Sequence, residues 1–266
     1  MKSVIVIVGV GDIGMACARR LGFGHQLLIA DFSDARLKSA TDALKDVGYD
    51  VLTQKTDVAD PVQVAALAAT CEAAGPLRAV VHTAGLSPTM APPARIYAVD
   101  LLGSALVMDA FLPLTQPGSV AVMIASMAPQ LVPTPPELER GLATAPTSQL
   151  ITLIGDLHKD DSYSAYAVSK RGNQVRVEAA ASAWGERGAR IVSLSPGLIH
   201  TGMGQQEAKA NERITELRKA VPLDRIGTAE DIASSVEWLI GASASYISGI
   251  DLRVDGGVVA AVRWAK

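Results

Sequence analysis

The stretch Ser3-Val-Ile-Val-Ile-Val-Gly-Val-Gly-Asp-Ile-Gly14 decides how the rest of the chain is read. A β-branched run from Ser3 to Val8 closes on glycines spaced Gly-x-Gly-x-x-Gly, and a helical pattern from Met15 to Leu21 follows. Strand, glycine turn and helix in that order are the context in which this spacing binds a dinucleotide. The glycines permit a tight turn and close approach of backbone to a pyrophosphate at the helix N-terminus. Gly9, Gly11, Asp12, Ile13 and Gly14 are therefore candidate cofactor contacts. The apolar run is too short for a secretory leader, and a glycine turn stands where a cleavage site would be, so it reads as a buried first strand.

The next strand, Gln26 to Ala30, ends at Asp31 with Phe32 beside it. A carboxylate about 20 residues past the glycine turn accepts hydrogen bonds from the adenosine ribose hydroxyls and repels a 2′-phosphate, which predicts NAD(H) over NADP(H). A plainer role for Asp31 is capping the next helix, although Ser33 is better placed for that.

Helix Asp34 to Val47, strand Val51 to Lys55, helix Pro61 to Ala74 and strand Arg78 to His82 continue the alternation. A helix from about Ile96 to Leu112 and a strand from Ser119 to Ala125, ending at Ser126, extend it. Asp57, followed by Val58, stands at a strand end, where it either bonds the adenine amino group or only makes a turn. Such alternation predicts a doubly wound parallel sheet with helices on both faces and its ligand at the strands' carboxyl ends. With no repeat and no linker, residues 1–266 read as a single α/β Rossmann domain.

Regularity breaks between Met127 and Asp161, which hold five prolines and two short helix-like pieces near 136–142 and 147–156. This is either a tolerated surface insertion or a flap or oligomer contact, and its place before Tyr166 favours contact with the active site. Helix Ser162 to Gly185 follows, then strand Ala189 to Leu194, ending in Ser195-Pro-Gly197 with Thr201 beyond. Gln205 to Lys219 reads as one amphipathic, charged helix, a candidate lid. A turn from Pro222 to Gly227, a helix from Thr228 to Ile240 with Thr228 as its cap, a strand from Ile250 to Val254 and Asp255-Gly-Gly257 with a short apolar tail complete the chain.

Tyr166-Ala-Val-Ser-Lys170 places Tyr and Lys on one helix face, about one turn apart. A free Tyr titrates near ~10 and a free Lys near ~10.4, so neither serves as acid or base at neutral pH alone. A neighbouring ammonium favours the phenolate, and in a dry site it and a positively charged nicotinamide ring together lower the Tyr pKa, giving a group able to exchange a proton with an alcohol or ketone. Taken alone, the pentapeptide describes a solvated helix face just as well.

About half of the residues are apolar and few are aromatic, which suits buried parallel strands. A net charge of −3, with both signs interspersed, argues against nucleic acid as a partner. No apolar run reaches transmembrane length, so no membrane association is expected. Cys17 and Cys71 are isolated and read as free thiols in a reducing cytoplasm. His25, His82, His158 and His200 lack ligand spacing and read as surface or loop residues, so no metal is expected.

The glycine turn, Asp31, Asp57-Val58, Ala84-Gly85, Ser126, Tyr166 with Lys170, Pro196-Gly197 with Thr201, and Asp255-Gly-Gly257 together resemble the short-chain dehydrogenase/reductase family over nearly the whole chain. The resemblance implies Tyr166 as general acid/base, Lys170 holding the nicotinamide ribose and lowering the Tyr pKa, and Ser126 bonding the substrate oxygen. It also implies cofactor contacts at Ala84, Gly85, Pro196 and Gly197, with Thr201 and Ile199 at the nicotinamide carboxamide. It further implies a small-molecule substrate and a homo-oligomer, dimer or tetramer.

Four departures stand out: the glycine turn is a residue short with Asp12 where glycine is usual, His82-Thr-Ala-Gly85 replaces Asn-Asn-Ala-Gly, Asp100 replaces the relay Asn, and about forty residues separate Ser126 from Tyr166. An ionised Asp accepts but cannot donate, which implies an altered relay. The long insertion, with Met108-Asp-Ala-Phe-Leu-Pro113 and Ala183-Trp-Gly185, resembles the bacterial 3α-hydroxysteroid dehydrogenase/carbonyl reductase branch. That implies an NAD-dependent enzyme interconverting a bulky hydrophobic, steroid-like secondary alcohol and its ketone. A 3-oxoacyl thioester reductase and a weakened NAD(H)-binding sensor remain alternatives.

Overall fold

The computed structural model describes residues 2–265; Met1 and Lys266, the ends of the expected domain, lie outside them. Its first half alternates β1 (Val4–Val8), α1 (Asp12–Leu21), β2 (Gln26–Asp31), α2 (Asp34–Lys45), β3 (Asp50–Lys55), α3 (Pro61–Ala74) and β4 (Leu77–His82). Next come α4 (Pro93–Ile96), α5 (Ser104–Phe111), β5 (Val120–Ile124), α6 (Pro136–Thr144), α7 (Leu150–Ile154) and α8 (Ser162–Gly185). The remainder is β6 (Arg190–Pro196), β7 (Ile199–His200), α9 (Gly202–Ala210), α10 (Glu212–Lys219), β8 (Gly227–Thr228), α11 (Ala229–Ile240), β9 (Asp251–Val254) and α12 (Val258–Trp264).

Seven strands form one parallel sheet in the order β3-β2-β1-β4-β5-β6-β9, and β7 pairs with β8 apart from it. The order reverses direction between β1 and β4, which opens a crevice at the carboxyl ends of both strands. Val4, Val6 and Val8 pack on one face with Leu67, Val107 and Phe111, whereas Ile5 and Ile7 pack on the other with Leu239 and Ile232. Burial on both faces explains the unbroken apolar run of β1, where each buried side chain contributes on the order of 2 kcal/mol.

Helix ends follow local chemistry. Ser33 Oγ caps α2 by accepting from Arg36 N, and Thr228 with Asp231 makes a reciprocal capping box on α11. The expected helix over 96–112 is interrupted by a π-helical stretch, Tyr97–Gly103. The expected lid helix over 205–219 is two helices, α9 and α10, broken at extended Asn211, whose side chain caps the second. By length and composition the segment Pro93–Leu114 passes as a membrane span, contrary to the sequence expectation, yet most of it is buried in the protein. It is apolar because it sits between the sheet and α8.

The insertion is anchored to α8. Arg171 on α8 holds Glu139 on α6 with two hydrogen bonds, Nε–Oε1 2.6 Å and Nη2–Oε2 3.0 Å. Arg176 donates to the carbonyls of Leu142 and Ala145 at 3.0 and 2.9 Å. Leu142, Leu150 and Ile154 complete an apolar cluster with Tyr97, Leu101, Ala165 and Val168. The insertion thus clamps the outer face of α8, and its first residues reach the cleft described next.

Candidate active site

A cavity of about 800 Å³ opens at the carboxyl ends of the strands. Gly11, Asp12, Ile13 and Gly14 line one part of it, and Ser126, Tyr166 and Lys170 another. Gly85, Pro196, Gly197, Ile199 and Thr201 also line it, so residues from five separate segments converge as the sequence predicts.

The glycine turn is shaped as a phosphate cradle. Gly9 has φ +96° and lies so close to the next loop that a Cβ would sit 2.5 Å from Ala84 N. A Cβ on Gly14 would lie 1.9 Å from the Gly9 carbonyl oxygen, whereas one on Gly11 would meet nothing within 4 Å. Backbone is thus packed tight behind the turn and open toward the cavity, which fits a pyrophosphate at the start of α1. Asp12 points away from that cradle: its Oδ2 accepts from Gly202 N at 2.8 Å, tying the turn to the start of α9. Thr201 caps the same helix, Oγ1 accepting from Gly204 N at 3.0 Å.

Several candidates lie behind the cavity instead of in its wall. Asp31 is buried, and its two oxygens accept from Val10 N (3.0 Å) and Ser33 N (2.9 Å). It braces the glycine turn against β2, while Phe32 beside it is 56% exposed. Asp57 accepts from Ala59 N in a turn and pairs with Arg95 Nη2 at 2.8 Å, and Val58 packs in the core. Ala84 backs onto Gly9. His82 overturns the expectation of a surface or loop histidine: it ends buried strand β4, with Nε2 3.0 Å from Ser104 Oγ. Burial and the nearby Lys170 charge push its pKa down to about 3, so the ring is neutral.

Lys170 is held from behind. Its Nζ donates to the Ile124 carbonyl at 3.3 Å and lies 3.3 Å from Asp100 Oδ1. Asp100, fully buried in the π-helical stretch, also accepts from Leu86 N at 3.0 Å. Burial raises the Asp100 pKa, and the Lys170 ammonium and the Leu86 N–H only partly oppose it. Asp100 does not line the cavity; it contacts Lys170 and the Leu86 loop behind it.

The Lys170 ammonium stands 5.6 Å from the Tyr166 ring centre. The protein's own groups around Tyr166 work against the expected lowering of its pKa. Burial, then the carboxylates of Glu207 and Asp100, push the phenol above its ordinary value, and the Ser126 hydroxyl beside it acts the other way. Much of the Lys170 charge is spent on Asp100. Asp100→Asn, which removes one of the two carboxylates, is therefore expected to move the rise of alcohol-oxidation rate with pH toward lower pH. A kcat–pH profile checks this, and an unmoved profile would refute the coupling.

Two contributors escaped the sequence reading. Gln174, one turn beyond Lys170 and buried, donates from Nε2 to the Ser126 carbonyl (3.2 Å) and Ser195 Oγ (2.9 Å), fixing the loop that carries Ser126. Its i+4 spacing from Lys170 was the available signal. Glu207, on the first half of the expected lid, lines the cavity, and only the charged character of that segment hinted at it.

The chain matches the family model described as enoyl-(acyl carrier protein) reductase over residues 9–136 and 145–259. It is 36% identical to the short-chain dehydrogenase/reductase bsc3 of Alternaria brassicicola, over 97% of this chain and 96% of the relative. It is 29% identical to a 3-alpha-hydroxysteroid dehydrogenase/carbonyl reductase of Comamonas testosteroni, over 98% of each. A solved short-chain dehydrogenase/reductase from Serratia marcescens shares the fold, with a TM-score of 0.77 at 22% identity, covering 97% of this chain and 98% of that one.

Proposed function

Since the chain belongs to the short-chain dehydrogenase/reductase family, we propose that it interconverts a bulky, hydrophobic secondary alcohol and its ketone with NAD(H). The observation that carries this reading is the convergence of Ser126, Tyr166 and Lys170 on one cavity with the glycine turn and Thr201. Met90, Leu131, Met203, Ile214 and Leu217 give the far part of that cavity an apolar wall, which suits an apolar substrate.

The nicotinamide cofactor supplies hydride transfer. In the proposed pose, the start of α1 holds its pyrophosphate, Asp31 and Phe32 stand at its adenosine end, and Thr201 and Ile199 orient its carboxamide. Ser126 donates to the substrate oxygen. The Tyr166 hydroxyl gives its proton to that oxygen during reduction and takes it back during oxidation. Lys170, oriented by Asp100 and the Ile124 carbonyl, places its ammonium beside the phenol and stabilises the phenolate formed in the oxidation direction. A negative charge on a buried phenol needs that positive neighbour, because burial alone keeps it protonated.

NADH formation with purified protein and a panel of secondary alcohols that includes hydroxysteroids tests the activity. Turnover of a bulky alcohol is expected; measurable NADH binding with no turnover of any alcohol would overturn the proposal. For the cofactor, Asp31→Asn removes the charge proposed to act at the adenosine ribose, while its single amide oxygen keeps an acceptor for one of the two backbone N–H groups, Val10 N or Ser33 N. Its NAD/NADP ratio of kcat/KM is expected to fall by about tenfold or more, and an unchanged ratio would show that Asp31 does not select the cofactor.

A further inference from the structure

The first helix of the lid carries an acid that the reaction just described does not use. Glu207 sits on α9 and faces the cavity that Tyr166 shares with Met90, Leu131 and Met203. Among the described residues its carboxylate has neither a hydrogen-bond nor an ion-pair partner. Arg213 on α10 and Tyr163 on α8 line the same cavity, as does Asp12 at the start of α1, yet none of them pairs with it. Burial alone raises its pKa to about 7. Glu207 and Tyr166 line the same cavity, and among charged groups Glu207 has the largest effect on the Tyr166 phenol, ahead of Asp100.

A half-buried carboxyl without a partner, beside Met90, Leu131 and Met203, costs free energy that a leucine there would not. Its position is also fixed rather than frayed, because α9 starts on two anchors, Asp12 with Gly202 N and Thr201 with Gly204 N. What offsets the cost is a partner that arrives with the substrate. We propose that Glu207 is a substrate subsite for a hydrogen-bond donor, a hydroxyl or a protonated amine, carried next to the reacting carbon of an otherwise apolar molecule. This deepens the alcohol–ketone reading and rests on it.

A matched series tests the subsite: 1,2-diphenylethanol, hydrobenzoin and 2-amino-1,2-diphenylethanol present hydrogen, hydroxyl and ammonium at one position. The intact enzyme with NAD is expected to favour the diol and the amino alcohol over the mono-alcohol by about tenfold or more in kcat/KM, the scale of a charge-assisted hydrogen bond. Glu207→Leu is expected to bring both ratios to about one or below. Glu207→Gln should keep part of the preference for the diol and lose that for the amine. The amine preference should grow as pH rises through about 7, where Glu207 ionises, and fade in acid. Ratios that survive Glu207→Leu would overturn the subsite. Calorimetry of the enzyme–NADH complex with the same three alcohols separates the two readings. Equal binding of all three overturns the subsite whether or not they react, whereas a Glu207-dependent preference in binding without turnover upholds it and counts against the oxidoreductase reading.

Discussion

Tyr166→Phe is expected to lower turnover by about 10²- to 10⁴-fold while NADH binding stays intact, the range set by losing one positioned acid/base. The phenyl ring keeps the packing of the tyrosine ring on α8, so the fold and the cradle at Gly9 to Gly14 are untouched. What disappears is the phenol O–H beside Ser126, the proposed proton donor to the substrate oxygen. Ser126 cannot replace it: its Oγ accepts from Ala128 N at 3.1 Å, and it lacks a basic partner to take its proton. Lys170 cannot replace it either, because its ammonium is already shared between Asp100 and the Ile124 carbonyl. Steady-state oxidation of a secondary alcohol and a fluorescence titration with NADH check the two halves. A variant that keeps most of its turnover would remove Tyr166 from the chemistry.

Lys170→Met should be costly for a second reason. It leaves Asp100, fully buried, without its cation, and removing one partner of a buried pair costs about 3–5 kcal/mol. The loss depends on pH in a definite direction. Burial already raises the Asp100 pKa above its unfolded value, and losing Lys170 removes the leading opposing influence. A carboxyl whose folded pKa is raised favours the folded state when protonated, so stability is retained in acid and lost as pH rises through the folded pKa. Urea unfolding should therefore show the Lys170→Met deficit growing toward neutral pH. Adding Asp100→Asn should recover most of it, since a neutral amide still accepts from Leu86 N. A deficit that is independent of pH, or not rescued, would mean that the pair does not set the stability. Catalysis is not rescued in the double variant, because no ammonium then stands beside Tyr166.

The strands and the glycine turn were legible because both-sided burial writes a continuous apolar run, and backbone approach to Ala84 and Gly9 admits only glycine. The Tyr166–Lys170 pair was legible because i,i+4 spacing fixes a shared helix face whatever the tertiary fold. The insertion was legible as an interruption, but its role was not: Arg171 and Arg176 look like ordinary surface charges until α6 lies against α8. The π-helical stretch left no mark, since one shifted hydrogen-bond register needs no special residue. It nonetheless lies where Asp100 meets Lys170.

By itself, then, the order of residues made the doubly wound sheet legible through local spacing and burial periodicity, and the family through its motifs; the roles proposed for Ser126, Tyr166 and Lys170 follow from that resemblance. Tertiary structure alone decided the electrostatics. Asp12, a candidate cofactor contact by spacing, anchors the start of α9, and Asp31 also braces the glycine turn. Burial, then Glu207 and Asp100, which are far from Tyr166 along the chain, push its phenol up against the lowering expected from the Lys170 ammonium. Charge interactions depend on distance and on the water excluded between groups, and neither is written in spacing along the chain.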